Sequence, residues 1–374
     1  MKKPSTLLRS FSSRLSTWLA PSPAVAPWPP VRSAYDRWLA TELDELRADP
    51  LAPCTSAAWL DRALSLAVAA QRRLVVSGIA SGGAASSIDR RTIDERVDDT
   101  AELLDACAWL RDRLDTLRGY VAATRTALHW LEGGHGHGGE GAAAARRAAA
   151  AFAECEAVER RCGAELAMCG SNLRRLGERA LLRTTRQQQT AATGAHHCWS
   201  DEEAVSGARA LALLAVGALG TALAFRPRRS VCGLAGSGGK AAAQWECALQ
   251  DVQRHVREEY DRRRKEGVPC MVELDAAAAT SRAVRCAVAS GRGRRCPETI
   301  VAEARRRCDE LEDTVAAFEE KVGELHRELI AVRMLLLEWA QIAGGHEVLR
   351  FACTPAHSEA SCPRLSRSKG SDLN

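Results

Sequence analysis

The chain has 374 residues and a formal net charge of +5, the balance of 52 Lys+Arg against 47 Asp+Glu. That near-balance speaks against nucleic acid as a partner, because such binding rests on neutralising phosphates. Aromatic residues at 5% are likewise too sparse for base-stacking surfaces.

A chain of this length would ordinarily divide into two or three domains. Long antiparallel helices can also form one elongated bundle of this size, and one helical body is expected. Fourteen cysteines are present without any Cys-x-x-Cys pair, and no apolar signal-peptide core follows Met1. The thiols are therefore expected to be reduced, in an intracellular protein.

Before the first acidic residue, Asp36, stand Lys2, Lys3, Arg9, Arg14 and Arg32, with Ser and Thr among them and five prolines between Pro21 and Pro30. Such a composition fits an organelle transit peptide or a disordered basic arm, with the prolines as a flexible lead-in. Residues 1–35 are thus assigned to an arm, 36–345 to the bundle and 346–374 to a polar, disordered tail.

Tyr35 to Leu46 forms a short amphipathic segment. A second helix is predicted from about Ser56, a suitable N-cap, to Val76, with Leu60, Leu64, Ala67, Val68 and Leu74 inward. Ser77 to Ser87 reads as a flexible connection. Ile93, Val97, Leu104, Cys107, Leu110, Leu114, Leu117, Val121, Leu128 and Leu131 then mark a long helix that Gly133-Gly134 stops. Within it, Asp98 and Asp99 read as a solvated edge and not as a catalytic pair.

His135 and His137 with Glu140 fall in a Gly-rich loop, and His196 and His197 lie beside Cys198. Neither group has the fixed surroundings of a selective metal site, so no metal is assigned. Between them an Ala-rich helix runs from Ala142 to about Thr185. Its Cys155, Cys162 and Cys169 repeat every seven residues. They share one face, too far apart to converge on a metal, and read as small buried hydrophobes. Thr184 to Thr193 reads as fraying and linker.

Glu202 to Phe225 is a compact apolar helix. From Ala210 to Phe225 it has no charge, presenting Leu211, Leu213, Leu214, Val216, Leu219, Leu223 and Phe225 between Arg209 and the basic Arg226, Arg228 and Arg229. A membrane span needs about twenty residues, so the segment is read first as a helix buried in the bundle. A membrane-inserted or surface-lying helix over 210–229 is the alternative. Gly233 to Lys240 mimics a phosphate loop, but Leu234 stands where its first glycine belongs and Ala241 where a Ser or Thr should hold magnesium. It is a linker, and no cofactor is assigned. Helices follow over about Lys240 to Lys265 and Asp275 to Ser290, and Pro297 opens the last.

That last helix holds the clearest pattern. Val301, Ala304, Cys308, Leu311, Val315, Phe318, Val322, Leu325, Leu329, Val332, Leu336 and Trp339 recur at alternating steps of three and four. They form one apolar seam about 57 Å long at 1.5 Å per residue, coiled-coil-like in its regularity. No segment alternates with period two, so the class is all-α, an elongated bundle of long antiparallel helices. There is no Gly-x-Ser-x-Gly elbow and no other catalytic constellation.

Trp59-Leu-Asp-Arg-Ala-Leu64, Ile93-Asp-Glu-Arg-Val-Asp-Asp-Thr-Ala-Glu-Leu-Leu-Asp-Ala-Cys107, and Leu114 through Ala127-Leu-His-Trp-Leu-Glu132 resemble the plant BYPASS-type proteins. The run Asp98 to Cys107 is the most specific part. The apolar helix Ala210 to Phe225, a Trp-containing helix from Trp245 to Tyr260 and the terminal helix from Pro297 to Trp339 match the order of elements in that family. The likeness covers most of residues 35–340 as helix order, with motif detail only from Trp59 to Glu132. The Ser81 to Ser87 insertion, the Gly/His loop and the tail depart from it.

The resemblance implies a non-enzymatic protein without cofactor, acting in root and shoot development, including restraint of a root-derived mobile signal. It also implies protein partners, which for some relatives are exocyst subunits. The expected function is a helical interaction protein in developmental signalling, with a membrane-associated adaptor of the secretory machinery as the alternative. A cytoplasmic protein with membrane association is expected; a single-pass or plastid protein is the other choice.

Overall fold

The computed structural model describes residues 33–48, 52–80, 90–133, 139–191, 199–226, 243–290 and 298–352. Those residues form an all-α bundle, 93% helical and without strands. In chain order the helices are α1 (Ala34–Ala48), α2 (Ala57–Ala80), α3 (Arg90–Gly133), α4 (Gly139–Ala191), α5 (Trp199–Ala222), α6 (Gln244–Glu266), α7 (Val272–Ala289) and α8 (Glu298–Ala352). Residues 1–32 and 353–374, which hold the basic arm and most of the polar tail, lie outside the described residues.

The seam of α8 explains why the bundle assembles. Every residue of that seam, from Val301 to Trp339, is buried. It packs against α3, α2 and α7. Removing such a stripe from water is the main favourable term available to an amphipathic helix.

Charged pairs along the edge of the α3–α8 contact record its register. Arg333 Nη1 donates to Val97 O at 2.6 Å, Arg118 pairs with Glu319, Arg125 pairs with Asp309 and Glu312, and Arg305 meets Glu132 at 2.5 Å. Rising numbers on α3 meet falling numbers on α8, so the two run antiparallel for most of their length. α4 also lies antiparallel on α3: Thr124 Oγ1 lies 3.3 Å from Cys155 Sγ, and further along Arg179 reaches Glu102 at 2.6 Å.

Helix ends are capped across the bundle. Asp36 of α1, fully buried, accepts the Trp245 N–H at 2.9 Å at the start of α6. Glu273 of α7 accepts the Ala57 N–H at 3.0 Å at the start of α2, where Ser56 Oγ takes the Trp59 N–H at 3.2 Å. Each carboxylate meets both unsatisfied donors and the positive end of a helix dipole. α6 ends at Gly267, whose φ of 74° allows the left-handed cap a side chain would resist.

Three helices run well past their expected C-terminal ends. α4 continues to Ala191, through the Gln/Thr stretch read as linker, because residues 184–191 contain neither Gly nor Pro to break it. α8 runs to Ala352, past the boundary at residue 345 and through Gly344 and Gly345 into the stretch assigned to the tail. Each glycine costs about 1 kcal/mol, which an already propagating helix absorbs when helix formers resume beyond it. α2 likewise runs to Ala80, through the start of the stretch read as a connection.

Leu325 is wholly buried in the middle of the seam, whereas Glu324 stands beside it within 3.5 Å of Lys321 Nζ. Leu325→Asp should destabilise the protein by several kcal/mol through a buried, unpaired carboxylate. Glu324→Ala should stay within about 0.5 kcal/mol. Thermal melting of the two variants checks this; equal melting temperatures would mean that the seam does not hold the bundle.

Candidate functional site

The most enclosed element is α5. From residue 207 to 225 every position is buried, among them Ala210, Leu211, Leu213, Leu214, Val216, Leu219, Leu223 and Phe225. It touches α1, α2, α3, α4 and α6. Its small residues are what allow this crowding. A Cβ on Gly207 would come within 2.9 Å of Leu39 and Tyr35 side-chain atoms, and one on Gly220 within 2.8 Å of the Trp109 ring.

Residues 203–222 are long and apolar enough to cross a membrane, and all of them except the half-buried Glu203 and Ser206 are buried inside the bundle. A helix that is apolar on all sides is matched by neighbours on all sides. Arg226 is exposed at its end. Arg228 and Arg229 lie outside the described residues.

Polar side chains from three helices grip α5 at several levels. Gln71 Nε2 of α2 donates to Ala208 O at 2.8 Å. Tyr260 of α6 directs its hydroxyl at Ala218 O and Cys54 O, each 3.3 Å away. At the C-terminal end Arg113 Nη2 donates to Leu223 O at 2.8 Å. A buried cation there meets a carbonyl the helix leaves open and the negative end of its dipole.

The α3 contacts keep a constant register. Arg96 Nη2 donates to Ser206 Oγ at 2.9 Å, Asp99 pairs with Arg209, and Arg113 reaches Leu223. Each partner lies 110 positions further along the chain, so α5 runs parallel to α3.

Around Asp99 the polar contacts condense into a charge cluster. Asp99 is 1% exposed. Besides Arg209 it has Arg179 of α4 at 3.6 Å and Arg96 of its own helix at 4.0 Å, while Arg179 also holds Glu102 at 2.6 Å. Arg96 and Arg209 are themselves buried. Asp99 therefore belongs to the interior, contrary to the reading of both aspartates as a solvated edge; only Asp98 is exposed. The sequence carried a hint of this: Arg96 and Thr100 sit at the spacing of the apolar seam of α3, where a solvated residue does not belong.

The thiols behave as hydrophobes. Burial pushes Cys54, Cys270 and Cys308 up to about 12 and raises Cys155 as well. Thiolate, the nucleophilic form, is thus scarce at neutral pH. Cys162 and Cys169 are on α4, but their side chains are not among those described. The same holds for Glu140, and His135, His137, His196, His197, Cys198 and Gly233 to Lys240 lie outside the described residues altogether. Among the described residues no three His, Cys, Asp or Glu side chains gather as a metal site would require.

No protein-family model, curated protein or solved structure matches the chain.

Two measurements probe this interior. Asp99→Ala should cost about 3–5 kcal/mol, because it strands buried guanidinium groups without their carboxylate. Asp98→Ala should stay within about 0.5 kcal/mol, and urea unfolding separates the two. In native protein at pH 7.5, iodoacetamide should modify exposed Cys286 well before buried Cys54, Cys270 and Cys308. Peptide mass spectrometry over time reads the order, and equal rates would contradict burial of those thiols.

Proposed function

We propose that this protein is a non-enzymatic helical interaction protein of the BYPASS type, acting in plant developmental signalling by presenting helix faces to protein partners. The observation that carries this reading is where the most specific stretch of the resemblance lies. Of residues 98–107, Asp99, Thr100, Leu103, Ala106 and Cys107 are buried. Asp99 from this stretch joins α3 to α5. The stretch therefore works as packing around a central helix, which is how a shared scaffold is expected to resemble its relatives.

The commitment of the interior's polar groups supports the same reading. Arg113 and Gln71 bond helix backbone, Arg96 and Arg209 bond α5 or Asp99, and the buried thiols are held protonated. Burial of α5 favours an internal strut over a membrane span, so recruitment to secretory membranes would pass through the outer helix faces.

Proximity labelling from the full chain in root tissue, with fractionation of the same cells, tests the proposal. Labelled soluble signalling proteins are expected. Recovery in the membrane fraction together with exocyst subunits would replace this reading with the adaptor. A purified protein that turned over a small metabolite, and lost that turnover on change of one polar residue, would overturn both.

A further inference from the structure

The outer face of α8 carries apolar side chains that the described helices leave open. Ile330 is 44% exposed, Met334 55%, Leu337 37% and Ile342 45%. Ile330, Met334 and Leu337 follow at steps of four and three, opposite the buried Leu329, Val332, Leu336 and Trp339, and Ile342, five residues on, lies about 140° further round the helix at the edge of this broad open face. Both flanks are taken: Glu328 turns to Arg72 of α2 at 2.9 Å, and Arg333 reaches Val97 of α3. The open stripe is about 18 Å long at 1.5 Å per residue.

The chain itself holds one segment suited to cover it. Among the residues outside the described set, only the N-terminal arm repeats apolar side chains at helical spacing over several turns: Leu7, Leu8, Phe11, Leu15, Trp18 and Leu19. The tail after Ala352 has Leu365 and Leu373 alone of the large aliphatic residues, and residues 227–242 have Val231 and Leu234. The arm is also basic, with Lys2, Lys3, Arg9 and Arg14. Exposed Glu338 sits beside the stripe and exposed Arg327 lies one turn before Ile330 on the same face, so apolar spacing and tether reach, not charge, select the occupant.

The arm leaves the bundle at the right level. Ser33 Oγ donates to Glu203 Oε2 at 3.0 Å, at the start of α5. The parallel α3–α5 register sets Glu203 level with Ile93, four residues before Val97. The antiparallel α3–α8 register then places that level four residues beyond Arg333, at Leu337. Laterally, α1 packs on α2 and α2 on α8, a path of about 20 Å at 8–10 Å per helix spacing. Residues 20–32, rich in proline, can reach about 40 Å at 3.1 Å per residue.

We propose that residues 7–19 dock along Ile330, Met334, Leu337 and Ile342, so that the chain's own arm covers the outer face of α8. Size favours this occupant over a second copy. Four side chains fall well short of the roughly 800 Å² per partner typical of a stable free complex. A tethered segment acts at an effective concentration in the millimolar range, where a small patch suffices. Any partner that reads this face must then displace the arm. The inference stands independently of the proposed function.

A photo-crosslinking benzoylphenylalanine placed at Phe11 of the full chain tests the docking. The expected product is an intramolecular cross-link, at monomer mass, to the α8 peptide that holds residues 328–342. Met334→Glu with Leu337→Glu should reduce its yield at least fivefold and leave the melting temperature unchanged, since both positions are exposed. Cross-links to another part of the bundle would overturn the proposal. So would a dimer-mass product that vanishes on dilution, which assigns the face to a second copy.

Transfer of the cross-link to lipid in phosphatidylcholine/phosphatidylserine vesicles, with none to α8 in their absence, would assign the arm to a membrane instead. A second readout needs no core variant. Hydrogen peroxide should oxidise Met334 several-fold faster when residues 1–19 are deleted, with buried Met271 slow in both proteins. Equal Met334 rates would overturn the docking.

Discussion

Enclosure of α5 is the constraint on which the other helices depend. A helix with apolar side chains at every angle has no face to offer water, and α5 with the turn that follows it is buried continuously from residue 207 to 225. Five other helices surround it. Glycine at 207 and 220 lets α1 and α3 approach until side chains nearly touch its backbone. Apolar surface alone would leave such a helix free to slide or rotate, because hydrophobic burial is non-directional. The bonds from Gln71, Tyr260, Arg113 and Arg209 supply the direction that burial lacks.

Burial of those charges carries a desolvation cost, so their presence in the interior is not an argument for extra stability. Their contribution is register. Asp99 with Arg209 and Arg96 with Ser206 hold α5 parallel to α3, while the exposed pairs along α3 and α8 follow an antiparallel line. An exposed pair of the latter kind contributes about 0–1 kcal/mol, so the α8 seam itself stabilises that contact and the surface charges align it. α3 is therefore the helix on which three registers meet: α4, α5 and α8 all pack on it.

Read as chemistry, the interior is closed. Its thiols are shifted away from reactivity by burial, and its guanidinium groups serve backbone carbonyls, a hydroxyl and a buried carboxylate. Among the described residues, what the bundle presents to its surroundings is the outer faces of its helices. Those faces are mostly charged, and the C-terminal part of α8 stands out because Ile330, Met334, Leu337 and Ile342 replace charge with apolar surface.

Helix type and much of helix placement were legible in the sequence, because a three-four apolar spacing has one economical explanation. The α8 seam and the inward residues of α2, from Leu60 to Leu74, needed nothing more. Helix ends were less legible where glycine or polar runs suggested a stop: α2, α4 and α8 each run further, since cooperative propagation outweighs a few poor helix formers. On α3 the spacing selected Leu104, yet Leu103 is the more fully buried of the two. A helix with partners on several sides buries more than one stripe.

By itself, then, the sequence determined the all-α class, the long seam and the apolar central segment, all of which follow from local periodicity and composition. Tertiary structure decided which helices adjoin and in which direction they run. It also turned Asp99 from a surface carboxylate into a buried partner of Arg209. Residues 110 positions apart leave no local pattern that marks them as partners. Their pairing is set only when burying α5 brings α3 alongside it.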